Sequence, residues 1–575
     1  MILSFENFKT PQLSGVFYFA EYMKVLLRYR FLIWFLLLAI PAAFTELLHD
    51  EAYYWLWSKQ LDWGYFDHPP MIALVIKLST LFSDSLLAVR FVIIGMSTGT
   101  IFLLEKITKP KDLVLFWSVV LSIAVFQLAG FIAVPDLPLM FFTALYFYLL
   151  QKALERWSWS LVLALGVVAA AMLYSKYHGI LVLIISVLAI PRWWTRAWVF
   201  AFAMVGAVLY VPHLVWQYNH DFVSLEYHLV DRSVGEAFNW LFLPDYLFGQ
   251  ILLAGPLMGW LLLYLLAKNK PIDDFSRVMK WSSLGVFIFF GLMSLKGKVE
   301  ANWTNVALLP LVYVGYFQLE KKENYQRWVM RSLYLLLPAM LIVKVYMAVD
   351  FLPKKWGIKT EVHGWKIWAK SLAEKADGAP MVIMNSYQKA AKYIYYTGGE
   401  AASQTNAAGR KNQFDLWQTE QQFSGKKAMY VLNWDDKNMQ QIHTDVGEVS
   451  YTFLEPFFTL SLFDIVCSQK QYSVNAVDSI EVMFDISNSY LDSMKLSSAL
   501  QSQPTIVCQV SKARTMVAEI PLDFKIDSSN AKSTNNKVVI DTKSLSKGEY
   551  NFRLSIRASW LPPSLNSKRY LLKVN

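Results

Sequence analysis

The chain has 575 residues, of which 55% are hydrophobic, 16% aromatic and only 17% charged, with a mean hydropathy of +0.32. This balance excludes a disordered chain and an ordinary water-soluble enzyme, whose domains carry about 25% charged residues, and two cysteines exclude a disulfide framework. A hydropathy of +0.32 is low for a protein made only of membrane helices, so a membrane part joined to a water-soluble part is expected, and the net charge of +10 then reads as topology, with no nucleic-acid partner.

Residues 1–30 are expected to form a cytoplasmic N-terminal segment, with Lys24, Arg28 and Arg30 ahead of the first apolar run. That start fits a retained first helix better than a cleaved signal peptide. Apolar stretches follow near 31–48, 86–104, 113–133, 138–151, 161–175, 179–190, 197–217, 246–267, 281–295, 304–319 and 332–349. They give about eleven spans. Several are shorter than the roughly 20 residues that cross a bilayer, so their polar flanks must continue the helix.

Loop charge orients them. If the first span runs outward, the inside loops hold Lys106, Lys109 and Lys111, then Lys152 and Arg156, then Arg192 and Arg196. Two later inside loops hold Lys268, Lys270, Arg277 and Lys280, and Lys321, Lys322, Arg327 and Arg331. The outside connections are poorer in Lys and Arg, as the positive-inside rule requires.

The first outside loop, residues 49–70, alternates charges with aromatics. Residues 50–61 are expected to lie in the interface as a helix, with Tyr54, Trp57 and Leu61 on one face. Its aromatics alone read as an anchoring belt. Asp50 and Glu51 sit where the span ends and this helix begins, which helps to keep a carboxylate ionised. Alone, the pair reads as a helix cap facing water.

Other ionisable groups recur at the same face: Asp136 between the third and fourth spans, Lys176 and His178 between the fifth and sixth, and Lys296, Lys298 and Glu300 between the ninth and tenth. A single such residue reads as a snorkelling side chain. Jointly they are held near the bilayer by short connections, where unpaired charge is costly. They are expected to converge on one outward cavity. Transfer from a lipid-linked phosphate needs that mixture: a base for the acceptor and cations for the phosphate leaving group.

From Asp350 onward no spanning segment remains, and by parity this part lies outside. Residues 350–449 read as an α/β region, with helices at 361–376 and 387–397 and strands at 380–385 and 428–433. Residues 450–575 read as a β-sandwich-like domain with strands at 480–486, 504–510, 515–520, 537–541, 549–557 and 569–574. Cys467 and Cys508 are either one disulfide or two buried thiols.

The order of motifs over residues 23–350 resembles membrane glycosyltransferases of the C-type (GT-C) superfamily, in the dolichyl-phosphate-mannose protein mannosyltransferase-like group. The lipid A aminoarabinose transferase is a distant relative. The matching elements are Asp50-Glu51, Tyr65-Phe66-Asp67-His68-Pro69-Pro70, Pro135-Asp136-Leu137-Pro138, Ser175-Lys176-Tyr177-His178-Gly179 and Gly297-Lys298-Val299-Glu300-Ala301-Asn302-Trp303. The terminal β-rich region matches no motif.

The resemblance implies a polytopic helical membrane enzyme with interfacial helices in the first outside loop and a C-terminal periplasmic α/β and β-sandwich region. The donor would be a sugar on an undecaprenyl-type phosphate, the acceptor a lipid, glycan or protein hydroxyl, and the site the periplasmic face of a bacterial inner membrane. It implies inversion in a single displacement, with Asp50 as base or its organiser, Glu51 as a neighbour and Asp136 as a second acid at the acceptor. Lys176, His178, Lys298, His68 and Arg232 are the candidate phosphate ligands. Asp67, Glu300, Asn302 and Trp303 are acceptor-side or structural candidates. The aminoarabinose transferase has Glu-Lys-Pro where this chain has Asp67-His68-Pro69, and histidine is not constitutively charged at neutral pH. No cofactor is required. Asp67 and His68 are candidate ligands of a divalent metal, at a spacing that is not diagnostic. Two rival functions are a flippase for lipid-linked glycans and a membrane-anchored glycan-binding protein.

Overall fold

The computed structural model describes residues 23–228, 238–353, 356–358, 360–475, 478–490, 493–512, 515–559 and 561–575. Arg232 and the first 22 residues of the expected N-terminal segment lie outside the described residues.

Polar residues at the ends of apolar runs set the helix starts. Ser85 caps Leu86–Thr108, Asp112 caps Leu113–Ser122, Ser158 caps Trp159–Ser175, and Asp273 caps Asp274–Ser294, each side chain accepting from a first-turn N–H. Among the described residues four helices are long and apolar enough to cross a membrane: Leu86–Thr108, Asp136–Glu155, Ala197–Asn219 and Glu323–Ala348. Two bent pairs raise the number to six, and three shorter apolar helices accompany them.

The expected eleven spans are therefore not matched one for one by full-length helices. The run 113–133 breaks at Ile123 into Leu113–Ser122 and Ala124–Leu128. The run 246–267 turns by 98° between Phe242–Ala254 and Gly259–Lys268. Gly255 makes that turn at φ +135°, where an added Cβ would meet the Ser122 carbonyl oxygen at 2.6 Å. The first span ends at Phe44, and the chain turns by 90° into the interfacial helix His49–Lys59. A second helix, Met71–Ser79, follows Pro70 in the same loop.

One apolar core joins the long helices, with Trp34, Leu38, Phe116, Phe147 and Tyr316 buried in it. A second core decides where the site lies. It joins Tyr53, Trp57, Ile72 and Ile76 of the interfacial helices to Trp368, Met381 and Tyr430 of the C-terminal region. The C-terminal region is thus seated on the segment that carries His49–Lys59 and Met71–Ser79.

Its nearer unit is a five-stranded sheet in the order Ala401–Gln404, Met381–Met384, Ala428–Val431, Gly447–Leu454, Gln440–Thr444. The first three strands are parallel, with Met381 facing Ala401 and Met429, and the last two are antiparallel. Helices Trp365–Ala376 and Tyr387–Thr397 pack with it. Beyond it, a five-stranded sheet and a three-stranded sheet enclose a third core. Cys467 and Cys508 are both buried and unpaired in that core, so the open question of a disulfide resolves to two thiols.

Candidate active site

Three sequence-distant groups meet in the helical body. Asp136 opens the helix Asp136–Glu155, where first-turn N–H groups and the helix dipole favour a carboxylate. Lys176 follows Trp159–Ser175 in extended backbone, which ends the helix and swings the side chain inward. Its Nζ donates to both Asp136 oxygens, at 3.0 and 2.9 Å, and each residue is 4% exposed. Asn302 donates to Asp136 Oδ2 at 3.2 Å. Lys298 and Glu300, four and two residues before that amide, instead pair with each other at 3.5 Å on the surface. Lys298 is not drawn into the cluster.

Glu51 is fully committed. Its carboxylate takes Arg90 Nε at 2.8 Å and Nη2 at 2.5 Å, the Ala133 N–H at 2.7 Å and the Leu48 N–H at 3.0 Å. Arg90 in turn donates to the carbonyls of Ala42, Thr45 and Glu46. Both side chains are completely buried. Four donors occupy the carboxylate's accepting positions, so Glu51 holds the end of the first helix to the helix Leu86–Thr108 and has no capacity left for a substrate.

Asp50, its neighbour, faces the other way. Oδ1 accepts from Gln388 of the C-terminal region at 3.0 Å. Burial raises the Asp50 pKa above the ordinary carboxylate range, opposed by the Gln388 hydrogen bond and reinforced by the nearby charges of Asp67 and Glu361.

Asp67 and His68 are fixed by the turn that carries them. Tyr65 stacks on Trp57 at 4.4 Å, its N–H reaches the His68 carbonyl, and the Phe66 N–H donates to Gln413 at 2.8 Å. Asp67 is held by Arg410, whose Nη1 donates to Oδ1 at 2.6 Å while Nη2 donates to the Tyr387 hydroxyl at 2.7 Å. The same guanidinium lies over the rings of Tyr227 and Tyr387, at 4.7 and 5.0 Å. Gln388, Tyr387, Arg410 and Gln413 all come from the C-terminal region, and none was singled out from the sequence. No spacing signal marks them, because they join the site only through the docking of that unit.

The His68 ring lies 5.9 Å from Tyr54 and 6.1 Å from His228. Burial pushes its pKa well below the ordinary value, helped by Lys176, His228, His178 and Arg410 around it. Burial thus favours the neutral form of the imidazole over the charged one. His178 packs edge-on to Phe290 at 5.1 Å and tilted against Trp303 at 5.2 Å. On the acidic side, Tyr54 feels the charges of Asp50, Asp67 and Asp136 together, with burial the main cause of its raised pKa. Carboxylates of Asp50, Asp67 and Asp136 thus act on Tyr54, and the cations of Lys176 and Arg410 act on His68. Among the described residues no group of three His, Cys, Asp or Glu side chains is placed to hold a metal ion. Asp67, one of the two candidate metal ligands, is engaged through Oδ1 by Arg410.

A helical body with membrane-length apolar helices carries a sheet-containing C-terminal region packed on the helices His49–Lys59 and Met71–Ser79. Residues 67–216 match the family described as dolichyl-phosphate-mannose-protein mannosyltransferase, a stretch that contains Asp67, His68, Asp136, Lys176 and His178. The chain is similar to the lipid A galacturonosyltransferase RgtD of Rhizobium johnstonii, with 26% identity over 284 residues that cover 46% of this chain and 58% of that protein. It thus spans less than two thirds of that curated relative's length. It is also similar in fold to ArnT from Cupriavidus metallidurans. The apo crystal structure gives a TM-score of 0.56 at 11% identity, and the one bound to undecaprenyl phosphate gives 0.54 at 12%. Both comparisons cover 75% of this chain and 98% of ArnT. The family resemblance seen in the motifs is borne out.

Proposed function

We propose that this chain transfers a sugar from a polyprenyl phosphate to a hydroxyl of a lipid, glycan or protein acceptor, at the periplasmic face of a bacterial inner membrane. The observation that carries this reading is the convergence of Asp50, the Asp136–Lys176 pair and the Asp67–Arg410 pair beside the interfacial helices. The family match, the RgtD likeness and the ArnT structure with undecaprenyl phosphate support it.

In the proposed step the acceptor oxygen attacks the anomeric carbon as the bond from that carbon to the phosphate oxygen breaks. The bonding electrons leave with the polyprenyl phosphate, and the hydroxyl proton passes to Asp50. A carboxylate whose pKa is raised by burial is a better base near neutral pH than an exposed one. Lys176 and Arg410 neutralise the departing phosphate. Asp136 fixes the ammonium with two of its three N–H bonds, leaving one for a ligand. Asp67 and Tyr387 fix the guanidinium in the same manner, with donors to spare. Glu51 and Arg90 form a structural pair outside the reacting groups, His68 is a polar group beside them, and Asn302 supports Asp136. The basic loops support a periplasmic C-terminal region, of which residues 350–449 and 450–575 would be the two parts.

The test is reconstitution of the full chain with radiolabelled polyprenyl-phosphate sugars and a panel of lipid, glycan and peptide acceptors. Released polyprenyl phosphate in step with a glycosylated product is expected. Folded protein that moves the intact lipid-linked sugar across the bilayer, and never splits it, would replace this reading with the flippase.

A further inference from the structure

At the opposite face, the inside loops build a second feature that sugar transfer does not use. Where the helix Asp136–Glu155 ends and Ala197–Asn219 begins, a cavity of about 120 Å³ opens between Trp157, Trp193 and Trp198, with Arg192 and Arg196 at its wall. We infer that this cavity binds the phosphate headgroup of an anionic lipid in the cytoplasmic leaflet. The inference rests on the orientation set by loop charge and is independent of the proposed reaction.

The three indoles form the frame. Trp198 lies 5.6 Å from Trp157 and 5.2 Å from Trp193, and Trp193 is buried. Indoles at this depth favour the headgroup level of a bilayer. The Arg192 guanidinium is held in place by Asp274 from the start of another helix. Among the described residues Arg196 has no carboxylate partner. It is also the N-cap of a 23-residue helix and contributes no side-chain cap, so the positive end of the helix dipole lies beside the cavity.

Two guanidinium groups and a helix N-terminus select a phosphate, because a guanidinium meets phosphate oxygens in a bidentate fork. The surroundings select a lipid as its carrier. Leu154, Phe200 and Met204 are 39%, 62% and 66% exposed, so the rim continues along helices that present apolar side chains outward for acyl chains. Lys152 and Lys109 near the helix end pair with Glu155, and Arg156 follows, so the rim is basic on balance. Basic pockets between membrane helices on this side are where anionic headgroups bind.

Native mass spectrometry of the full chain in neutral detergent tests this, with phosphatidylglycerol, phosphatidylcholine, undecaprenyl phosphate or inorganic phosphate added separately. The wild type is expected to retain phosphatidylglycerol over phosphatidylcholine, and Arg196→Gln to weaken that retention about fivefold. Arg192→Gln/Arg196→Gln should weaken it further. Arg196→Gln leaves the Arg192–Asp274 contact intact, so an unchanged melting temperature shows that folding is not the cause. Undecaprenyl phosphate retained in preference and lost in Arg196→Gln supports a lipid-phosphate site and identifies a polyprenyl source. Equal retention of the neutral lipid, undiminished retention in Arg196→Gln, or saturation by inorganic phosphate alone would overturn it.

Discussion

The Lys176 ammonium lies between both oxygens of Asp136, at 3.0 and 2.9 Å, inside the helical body. The two residues come from different connections on one membrane face, and their pairing ties the start of one helix to the end of another. A pair this deep is more informative about function than about stability, since desolvation offsets most of the attraction.

Breaking it from one side should therefore be costly. Asp136→Asn leaves a buried ammonium without its counter-charge and is expected to destabilise the chain by about 3–5 kcal/mol. Asp136→Asn/Lys176→Met should recover most of that loss in thermal unfolding, yet remain inactive in sugar transfer. Recovery of transfer along with stability would make the pair purely structural.

Glu51 and Arg90 predict the opposite division. Glu51→Gln weakens a bidentate, fully buried pair and should lower the melting temperature while transfer per folded molecule changes little. Activity loss of about a hundredfold in folded Glu51→Gln protein would return Glu51 to the reacting groups.

Much of this site is legible in the sequence. The short outside connections already collect Asp50, Asp136, Lys176 and Asn302 at one face, because hydropathy fixes the spans and parity fixes their ends. Arg90 is visible as a charge inside an apolar run, but its partner Glu51 is named only by packing. Arg410 and Gln388 are invisible, since each is an ordinary polar residue of a soluble unit until that unit docks on Tyr53 and Trp57. The strands Gln440–Thr444 and Gly447–Leu454 go unannounced for a similar reason: they form a polar-edged hairpin on a sheet completed by distant segments. Gly255 and Ile123 break apolar runs that hydropathy reads as continuous.

Arg410 should matter for donor binding. Arg410→Gln removes a cation that Asp67 and Tyr387 hold over the site, and is expected to raise the KM for the polyprenyl-phosphate sugar about tenfold or more. Arg410→Lys keeps the charge without the fork and should recover only part of it. An unchanged donor KM in folded Arg410→Gln protein would remove Arg410 from the phosphate site.

The seam between the two parts should respond to pH through Lys392. Its amine is buried against Trp365, donates to the Glu361 carbonyl at 2.6 Å, and has its pKa pushed down to about 7 by burial. Unfolded, a lysine holds its proton to about pH 10.4. Between these values the unfolded chain binds more protons, so stability rises with pH from about 7 to 10, by at most about 1.4 kcal/mol per pH unit. Lys392→Met should flatten this rise in unfolding curves taken across that range. An identical slope in wild type and variant would contradict the assignment.

Asp50 links the site to a kinetic signature. A base acts deprotonated, and burial raises its pKa, so transfer should rise with pH through a limb lying above the ordinary aspartate value of about 3.9. A pH–rate profile measures it directly. A limb at or below that value would show that the rate does not depend on a buried Asp50.

The most direct test of the whole account is the turnover of reconstituted Asp50→Asn against wild type, with a polyprenyl-phosphate sugar that the wild type uses. Asp50→Asn is nearly isosteric and keeps a partner for Gln388. The account predicts a fall in transfer of about a hundredfold or more, with an unchanged melting temperature and unchanged donor binding. Transfer within about threefold of wild type would contradict it, since general-base catalysis contributes far more than that.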